Sequence, residues 1–463
     1  MKSKIVVLGA GESGVGAALL AKAKGFDVFV SDYGMIAEDH KEELAANAIP
    51  FEEGIHTPFL ILEAQEIVKS PGIPDTAPIV VEARERGIKV ISEIEFAARY
   101  TKAKFIAITG SNGKTTTTLL AHHLIKSAGF NVGLAGNIGQ SLAKQVIDDD
   151  YDYFVVELSS FQLDGMYEFK ADIAILLNIT PDHLDRYDDN FDNYVDSKFR
   201  ITQNQGPNDY LITFVDDPVI KKEISARKPK AFPLMVSLEG CVLNGSYLKH
   251  DKLMFNIHNH ITKVFSIETN HLTLRGRHNM VNIMSATMAA LAAGVPESVV
   301  IKALGSFKNA PHRLEQVAAV SGVRYINDSK ATNVDSVKYA LDSFEKPIIW
   351  VAGGVDKGND YSLIEEQVFE KVKMIIAIGT DNSKLRQKFD NGEIIFVESE
   401  SMDDVVDTCS EVTTKGDVVL LSPACASFDR FANYEDRGTQ FKNAIDKLKD
   451  NSSMKFFKMM LTL

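Results

Sequence analysis

Residues 104–125 read KFIAITGSNGKTTTTLLAHHLI. The first six form a mostly apolar run bounded by glycine, the pattern of a strand buried in a parallel sheet. Gly110-Ser111-Asn112-Gly113-Lys114-Thr115 follows, and a helical stretch opens with Thr116. Strand, glycine turn and helix in that order predict a phosphate cradle. Backbone amides and the helix N-terminus bind phosphate, Lys114 reaches the terminal phosphates and Thr115 can ligate Mg2+. Position 108, where the full G-x-x-x-x-G-K-[ST] pattern has its first glycine, is Ile108, so this is not the ordinary motor or GTPase loop.

Working outward, KIVVL at 4–8 runs into Gly9-Ala10-Gly11-Glu12-Ser13-Gly14, with helix from about Gly14. Strands follow at 28–32, 66–72 and 89–93, and Asp32 ends the second of these, 21 residues after Gly11. The spacing matches a dinucleotide fingerprint, in which glycine lets backbone amides approach a diphosphate. It does not separate NAD from a UDP-sugar. Downstream of the central loop, strands are predicted at 153–158 and 174–180, and the alternating and polar segments of 210–275 suggest a β-rich insertion. A helical stretch at 282–294 precedes strands at 324–328, 348–354, 374–379 and 418–423. The expected fold is α/β in three domains: a Rossmann-like domain at 1–93, a P-loop-type ATP-binding domain at 94–309 and a Rossmann-like C-terminal domain at 310–463.

The chain has 463 residues, 45% hydrophobic and 24% charged, enough for two or three cores. Its 50 Lys+Arg against 63 Asp+Glu give a net charge of −13, which argues against broad attraction to nucleic acid or anionic membranes. Three widely spaced cysteines, Cys241, Cys409 and Cys425, suggest neither a disulfide framework nor a metal cluster and fit a reducing cytoplasm. The N-terminus shows no signal-peptide pattern, and the apolar FFKMMLTL at the C-terminus is far shorter than the ~20 residues that cross a bilayer. That tail reads as a docking or frayed segment.

Three further residues carry chemistry. Glu157 ends the apolar strand YFVVE, which places a carboxylate beside the phosphate loop if the two strands are neighbours; alone, it reads as a solvated strand-end carboxylate. His183, just after another strand end, can ligate a metal as neutral imidazole. In the helix from about Asn190, Phe191, Tyr194, Val195 and Ile201 recur at helical spacing and Lys198 falls on their stripe. Snorkelling is the plain reading of such a lysine. Burial near metal would instead expose a neutral amine able to form a carbamate with CO2, and so a new carboxylate for Mg2+.

Together with SPG at 70–72, GNIG at 136–139, ELSSFQL, DHLDRY, RGRHNMVN, PHRLE, NDSKATN, GGVDKG and LSPACASFDRFANYEDRG, these motifs resemble the ATP-dependent amide ligases of peptidoglycan synthesis, relatives of folylpolyglutamate synthase. The resemblance covers nearly the whole chain and is greatest to the members that add D-glutamate. It implies a cytoplasmic, monomeric enzyme that joins D-glutamate to UDP-N-acetylmuramoyl-L-alanine with ATP and Mg2+, two ions, with Mn2+ a possible substitute.

By resemblance, Gly110 to Thr116 hold ATP, with Lys114 and Thr115 at its phosphates and metal. Glu157 binds the first ion, and His183 with carbamylated Lys198 the second. Asn279 and Asn282 contact the adenine side, and Arg313, Asp328 and Lys330 reach ATP from the third domain as it closes. Gly11, Ser13, Asp32 and Gly72 bind the uridine diphosphate, and Asn137, Ser159 and Gln162 continue toward the muramoyl part. Thr332, Lys357, Ser427 and Tyr434 form the D-glutamate pocket. Tyr33-Gly34 follows Asp32 where some members carry Thr-Arg, and Tyr434 stands where a phenylalanine is familiar. The competing readings are a related ligase adding diaminopimelate or lysine, although no Asp-Asn-Pro-Arg motif is present; an NAD-dependent dehydrogenase, which leaves the 110–115 loop unexplained; and a nucleotide-gated binding protein.

Overall fold

The computed structural model describes residues 3–461 except 149, 260, 270, 271, 273, 275, 346 and 357, with the side chains of 258, 259, 261–265 and 450–461 also left out. The chain divides into two compact units, Met1–Thr273 with Asn279–Phe307, and Leu274–His278 with Lys308–Leu463. Both are α/β.

The first unit holds two sheets. One contains β1 (Lys4–Leu8), β2 (Asp27–Asp32), β3 (Phe51–Glu53), β4 (Glu66–Lys69) and β5 (Lys89–Ile91) in the order β3-β2-β1-β4-β5, all parallel. The chain leaves β1 to one side and returns to the other, so the glycine turn after β1 lies where strand order reverses, the usual ligand crevice of such sheets.

The other sheet contains β6 (Lys104–Thr109), β7 (Val132–Gly136), β8 (Tyr153–Glu157), β9 (Ile173–Leu176), β10 (Tyr210–Phe214), β11 (Phe232–Ser237), β12 (Gly245–Lys249), β13 (Lys252–Asn259) and β14 (Ile261–Glu268), ordered β14-β13-β12-β11-β10-β9-β6-β8-β7. Pairing is parallel from β7 to β12 and antiparallel beyond. The segment read from sequence as an insertion therefore extends the central sheet. The alternation is plainest in β13, where Leu253, Phe255 and Ile257 are buried in turn, so one face of that antiparallel strand is covered. Ile106, Ala107 and Ile108 are fully buried between β8 and β9, as the unbroken apolar run requires.

The two sheets share a core. Helix Glu12–Ala23 packs against helix Leu142–Ile147, and a Cβ on Gly16 would lie 2.0 Å from Ser141 Oγ, so only glycine permits this approach. Glu93, buried at the junction, accepts from Ser141 Oγ and from the Ala143 amide, each at 2.7 Å.

The second unit is built on β15 (Glu315–Val320), β16 (Val323–Asn327), β17 (Ile348–Ala352), β18 (Val372–Ala377), β19 (Ile395–Glu398) and β20 (Val418–Leu421), ordered β15-β16-β20-β17-β18-β19, with only β15 antiparallel. Helix Tyr434–Leu461 follows, so the apolar tail through Leu461 continues a helix. Among the described residues no helix is long and apolar enough to cross a membrane.

Candidate active site

The loop after β6 is locked before any ligand arrives. Asn178, just past β9, accepts from the Asn112 amide at 2.8 Å and donates to the Asn112 carbonyl at 2.9 Å, and its own carbonyl accepts from the Ser111 amide at 2.9 Å. Ser111 Oγ donates to the Thr180 carbonyl at 2.8 Å. Gly113 caps helix Lys114–Ser127 in a left-handed conformation, φ +87°, and a Cβ there would meet Asn282 Oδ1 at 2.4 Å. Thr117 Oγ1 donates to that same oxygen at 3.2 Å, and Asn282 Nδ2 donates to Asn279 Oδ1 at 3.1 Å. Both asparagines are buried against the first turn of the loop helix. Lys114 folds back, donating to the carbonyls of Gly110 and Ser111 at 2.8 and 2.9 Å, while Thr115 and Thr116 are buried in the first turn. A cation and the positive end of a helix thus converge on one turn, an anion cradle.

β8 runs beside β6 and delivers Glu157 next to this turn. It is 1% exposed rather than solvated. One oxygen accepts from Asn137 Nδ2 at 2.9 Å; the other is buried and, among the described residues, has no hydrogen-bond partner. Leaving a buried carboxylate oxygen unmatched is costly unless something else satisfies it.

Helix Phe191–Phe199 buries Tyr194, Val195 and Lys198, and its amine lies 4.7 Å from the centroid of the Tyr194 ring, whose hydroxyl is 3.2 Å from Ser111 Oγ. Burial, then the charge of Lys114, holds the Lys198 amine well below its ordinary value, although Asp182, Asp164 and Glu157 oppose this. Such an amine gives up its proton more readily than a solvated one. His183 sits in a left-handed turn, φ +52°, edge-on to Phe161 with ring centroids 5.3 Å apart. Partial desolvation, together with Lys114 and Lys198 and against Asp182, keeps the imidazole below its ordinary value and hence neutral near pH 7.

No cluster of three or more His, Cys, Asp or Glu side chains in metal-binding geometry occurs among the described residues. Mg2+ takes one or two carboxylates and fills the rest of its shell with phosphate and water. The unmatched oxygen of Glu157, beside the hydroxyl-bearing first turn of the loop helix, fits such an ion.

At the first sheet, Asp32 accepts from the amides of Ala10 at 2.6 Å and Gly34 at 2.8 Å, so it braces the glycine turn. Ser13 is half-buried, and nothing lies within 4 Å of where a Cβ on Gly11 or Gly72 would sit. Arg186 donates to the carbonyls of Pro71 and Gly72 at 3.4 Å and stacks on Phe161 at 4.4 Å. Ser159 and Gln162 pair with each other as a capping box on helix Ser160–Asp164.

In the second unit, Asp328 accepts from Ser422 Oγ at 2.8 Å and from the Leu314 amide at 3.2 Å. Burial pushes its carboxyl up to about 7, against the Ser422 hydrogen bond and Arg313. Lys330 Nζ lies 5.1 Å from the Tyr434 ring centroid, and the Tyr434 carbonyl accepts from Ser329 Oγ at 2.8 Å. Ser427 is buried, Thr332 is exposed, and Lys357 lies outside the described residues.

Three family models match along the chain: the Mur ligase MurD-like N-terminal domain at residues 3–92, the Mur ligase middle domain at 108–290 and the Mur ligase glutamate ligase domain at 312–425. The UDP-N-acetylmuramoylalanine--D-glutamate ligase of Cytophaga hutchinsonii is 54% identical over 97% of this chain and 100% of its own length. The chain belongs to the Mur ligase family. The enzyme of the same description from Porphyromonas gingivalis is 53% identical over 96% of this Mur ligase and 99% of its own length. Among solved structures, the MurF ligase of Thermotoga maritima in complex with ADP shares the fold, with a TM-score of 0.60 and 18% identity over 92% of this chain and 97% of that one.

The residue-by-residue reading missed two groups in this Mur ligase. Arg437 is fully buried and donates to Ser329 Oγ at 3.0 Å, the Ser329 carbonyl at 2.8 Å and the Cys425 carbonyl at 3.1 Å, with burial lowering its guanidinium to about 10. His312 accepts at Nδ1 from Asn327 Nδ2, 2.9 Å away. Both lie in motifs that carried the resemblance, YEDRG and PHRLE, but a lone charged residue in sequence gives no sign of the carbonyls it will meet.

Proposed function

We propose that this Mur ligase joins D-glutamate to UDP-N-acetylmuramoyl-L-alanine, converting ATP to ADP and phosphate. The observation that carries the substrate choice is identity above 50% along the full length of relatives named for that reaction. The order of the chemistry follows from reactivity. A carboxylate does not react with an amine, so the γ-phosphoryl group first passes to the L-alanyl carboxylate, giving an acyl phosphate and ADP. The free amine of D-glutamate then attacks the carbonyl carbon, and the tetrahedral adduct expels phosphate and a proton to leave the amide.

The finer assignments rest on resemblance; the locked loop after β6 and the unmatched oxygen of Glu157 support those at the phosphate site. The first sheet, at residues 1–93, is read as a Rossmann-like domain for the uridine diphosphate, with Gly11, Ser13, Asp32 and Gly72 along its crevice. The region 94–309 is read as a P-loop-type domain: Gly110 to Thr116 cradle ATP, Asn279 and Asn282 lie on the adenine side, and Asn137, Ser159 and Gln162 face the muramoyl part. Thr115, Glu157, His183 and carbamylated Lys198 would hold Mg2+. When bound, the ion would neutralise phosphate charge and polarise the transferred group. Lys114 turns its ammonium from the loop carbonyls onto the phosphates and neutralises charge during transfer. The region 310–463 is read as a second Rossmann-like domain. There Arg313, Asp328 and Lys330 are assigned to ATP, and Thr332, Lys357, Ser427 and Tyr434 to D-glutamate. Action as a monomer in the cytoplasm completes the reading.

Phosphate release is the direct test, measured with UDP-N-acetylmuramoyl-L-alanine and a panel of L- and D-amino acids. Release with D-glutamate alone supports the proposal. Preference for lysine or diaminopimelate would move the chain to another reaction of the family.

A further inference from the structure

In the second unit β17 and β20 run side by side and parallel, so the loops leaving their carboxyl ends meet. One runs Gly353-Gly354-Val355-Asp356-Lys357-Gly358-Asn359, the other Ser422-Pro423-Ala424-Cys425-Ala426-Ser427. The Gly353 amide donates to the Pro423 carbonyl at 2.9 Å. The Val355 amide donates to the Ala426 carbonyl at 2.9 Å, and the Ala426 amide to the Val355 carbonyl at 3.2 Å. A Cβ on Gly354 would lie 2.2 Å from the Ala426 carbonyl oxygen, so only glycine permits this approach.

A further tie comes after Lys357. Asn359 Nδ2 donates to the Ala424 carbonyl at 3.0 Å, and its other hydrogen has Tyr361 Oη at 3.2 Å and Cys425 Sγ at 3.5 Å within reach, both in buried residues. Tyr361 Oη lies 3.1 Å from Asp356 Oδ2, while Asp356 Oδ1 accepts from the amides of Gly358 at 2.7 Å and Asn359 at 2.9 Å and from Lys384 Nζ at 3.1 Å. Although burial raises Asp356, these hydrogen bonds outweigh it and hold the carboxyl below its ordinary value, so it only accepts. The tyrosine hydrogen therefore goes to Asp356, and the tyrosine oxygen is left to accept from Asn359. Ties to the facing loop thus flank Lys357 in sequence, through Val355 before it and Asn359 after it. Neither tie builds the sheet, whose two strands end at Ala352 and Leu421.

We infer that Asn359 is a positioning residue for D-glutamate: it clasps the loop carrying Lys357 to the loop carrying Ser427 and so sets the spacing between those two groups. This rests on the proposal that Lys357 and Ser427 belong to the D-glutamate pocket. A small dicarboxylate held from two loops binds well only when the loops are already at the right separation, because loops ordered at each binding event cost affinity. Asn359 bonds to none of the residues assigned to ATP, so its effect falls on the amino acid.

The test is steady-state phosphate release by the full chain, with each substrate varied in turn. Asn359→Ala, and Asn359→Asp, which keeps the shape without the donor, raise KM for D-glutamate about tenfold, the cost of one lost hydrogen bond, and leave KM for ATP unchanged. Tyr361→Phe, which removes only the hydroxyl behind Asn359, raises the same KM by less. Because Asn359 acts through Lys357, Asn359→Ala has little further effect on kcat/KM for D-glutamate in a Lys357→Ala background. Unchanged KM for D-glutamate in a folded Asn359→Ala protein, or in Tyr361→Phe if Asn359→Ala does not fold, overturns the inference. Equal rises in KM for all three substrates, or effects of Asn359→Ala and Lys357→Ala that simply add, overturn it too. A wild type without D-glutamate-dependent phosphate release, or a Lys357→Ala protein with wild-type KM for D-glutamate, fails instead at the underlying reading.

Discussion

Glu157 and Asn137 are joined by a 2.9 Å hydrogen bond that aims the carboxylate and leaves its second oxygen buried without a partner among the described residues. The amide does not neutralise Glu157; it fixes which oxygen remains available. Asn137→Ala should therefore raise the Mg2+ concentration needed for half-maximal activity about 10- to 100-fold, the usual cost of losing a group that orients a metal ligand. Metal titration of the phosphate-release rate checks this. An unchanged Mg2+ requirement would show that the orientation of Glu157 does not matter.

Lys198 separates charge from bulk. Because its folded-state pKa lies below the unfolded value of 10.5, the folded protein binds fewer protons between those two values. Stability contributed by this group accordingly rises with pH across that window and is lowest below it. In CO2-depleted buffer at pH 7, Lys198→Met should raise Tm, since a methionine of similar length fills the site with no amine to desolvate or deprotonate, yet abolish activity. Lys198→Ala should be inactive too, with partial recovery in added acetate or formate. No recovery in a folded Lys198→Ala protein would count against the carbamate.

Gly113 tests the loop geometry itself. A non-glycine residue in this left-handed conformation costs of order 1–3 kcal/mol, and the new methyl would collide with Asn282 Oδ1. Gly113→Ala should lower stability by about that amount in chemical denaturation and weaken ATP binding together with it. A fully stable variant with intact ATP affinity would contradict the arrangement.

The strands that frame these groups were largely legible in sequence. KFIAIT at 104–109 coincides with β6, because a strand buried on both faces can only be an apolar run, and Gly110 marks its end. The apolar run 174–180 is only partly strand: β9 stops at Leu176, and Leu177 to Thr180 turn aside to bind the phosphate loop through Asn178 and Thr180. Apolar character cannot distinguish a strand from a clamp. The inward lysine was visible because Lys198 shares a helical stripe with Tyr194 and Val195. Short strands such as Phe51–Glu53 and Val132–Gly136 were not, since neither three residues nor a glycine-bounded segment makes a period. The clasp of Asn359 on Ala424 was hidden for a different reason: it joins two loops at strand ends whose approach no local pattern records.

Glu93 predicts a pH dependence of stability. Burial pushes its carboxyl up to about 7, against hydrogen bonds from the Ala143 amide and Ser141. A raised folded-state value means the stabilising contribution is whole below about 4.5 and is lost as pH rises through about 7. Glu93→Gln keeps an acceptor for Ala143 without the charge, so the variant should match wild type at pH 5 and exceed it at pH 8. Thermal denaturation across that range is the measurement, and parallel curves would refute it.

The central claim is that a triphosphate rests on the turn before helix Lys114–Ser127 with magnesium linking it to Glu157. Equilibrium ATP binding by wild type, Lys114→Ala and Glu157→Gln, each with and without Mg2+, addresses it directly. Wild type should bind ATP far more tightly with the ion, Glu157→Gln should lose most of that gain, and Lys114→Ala should bind weakly in both conditions. ATP affinity that ignores magnesium and both substitutions would contradict the account.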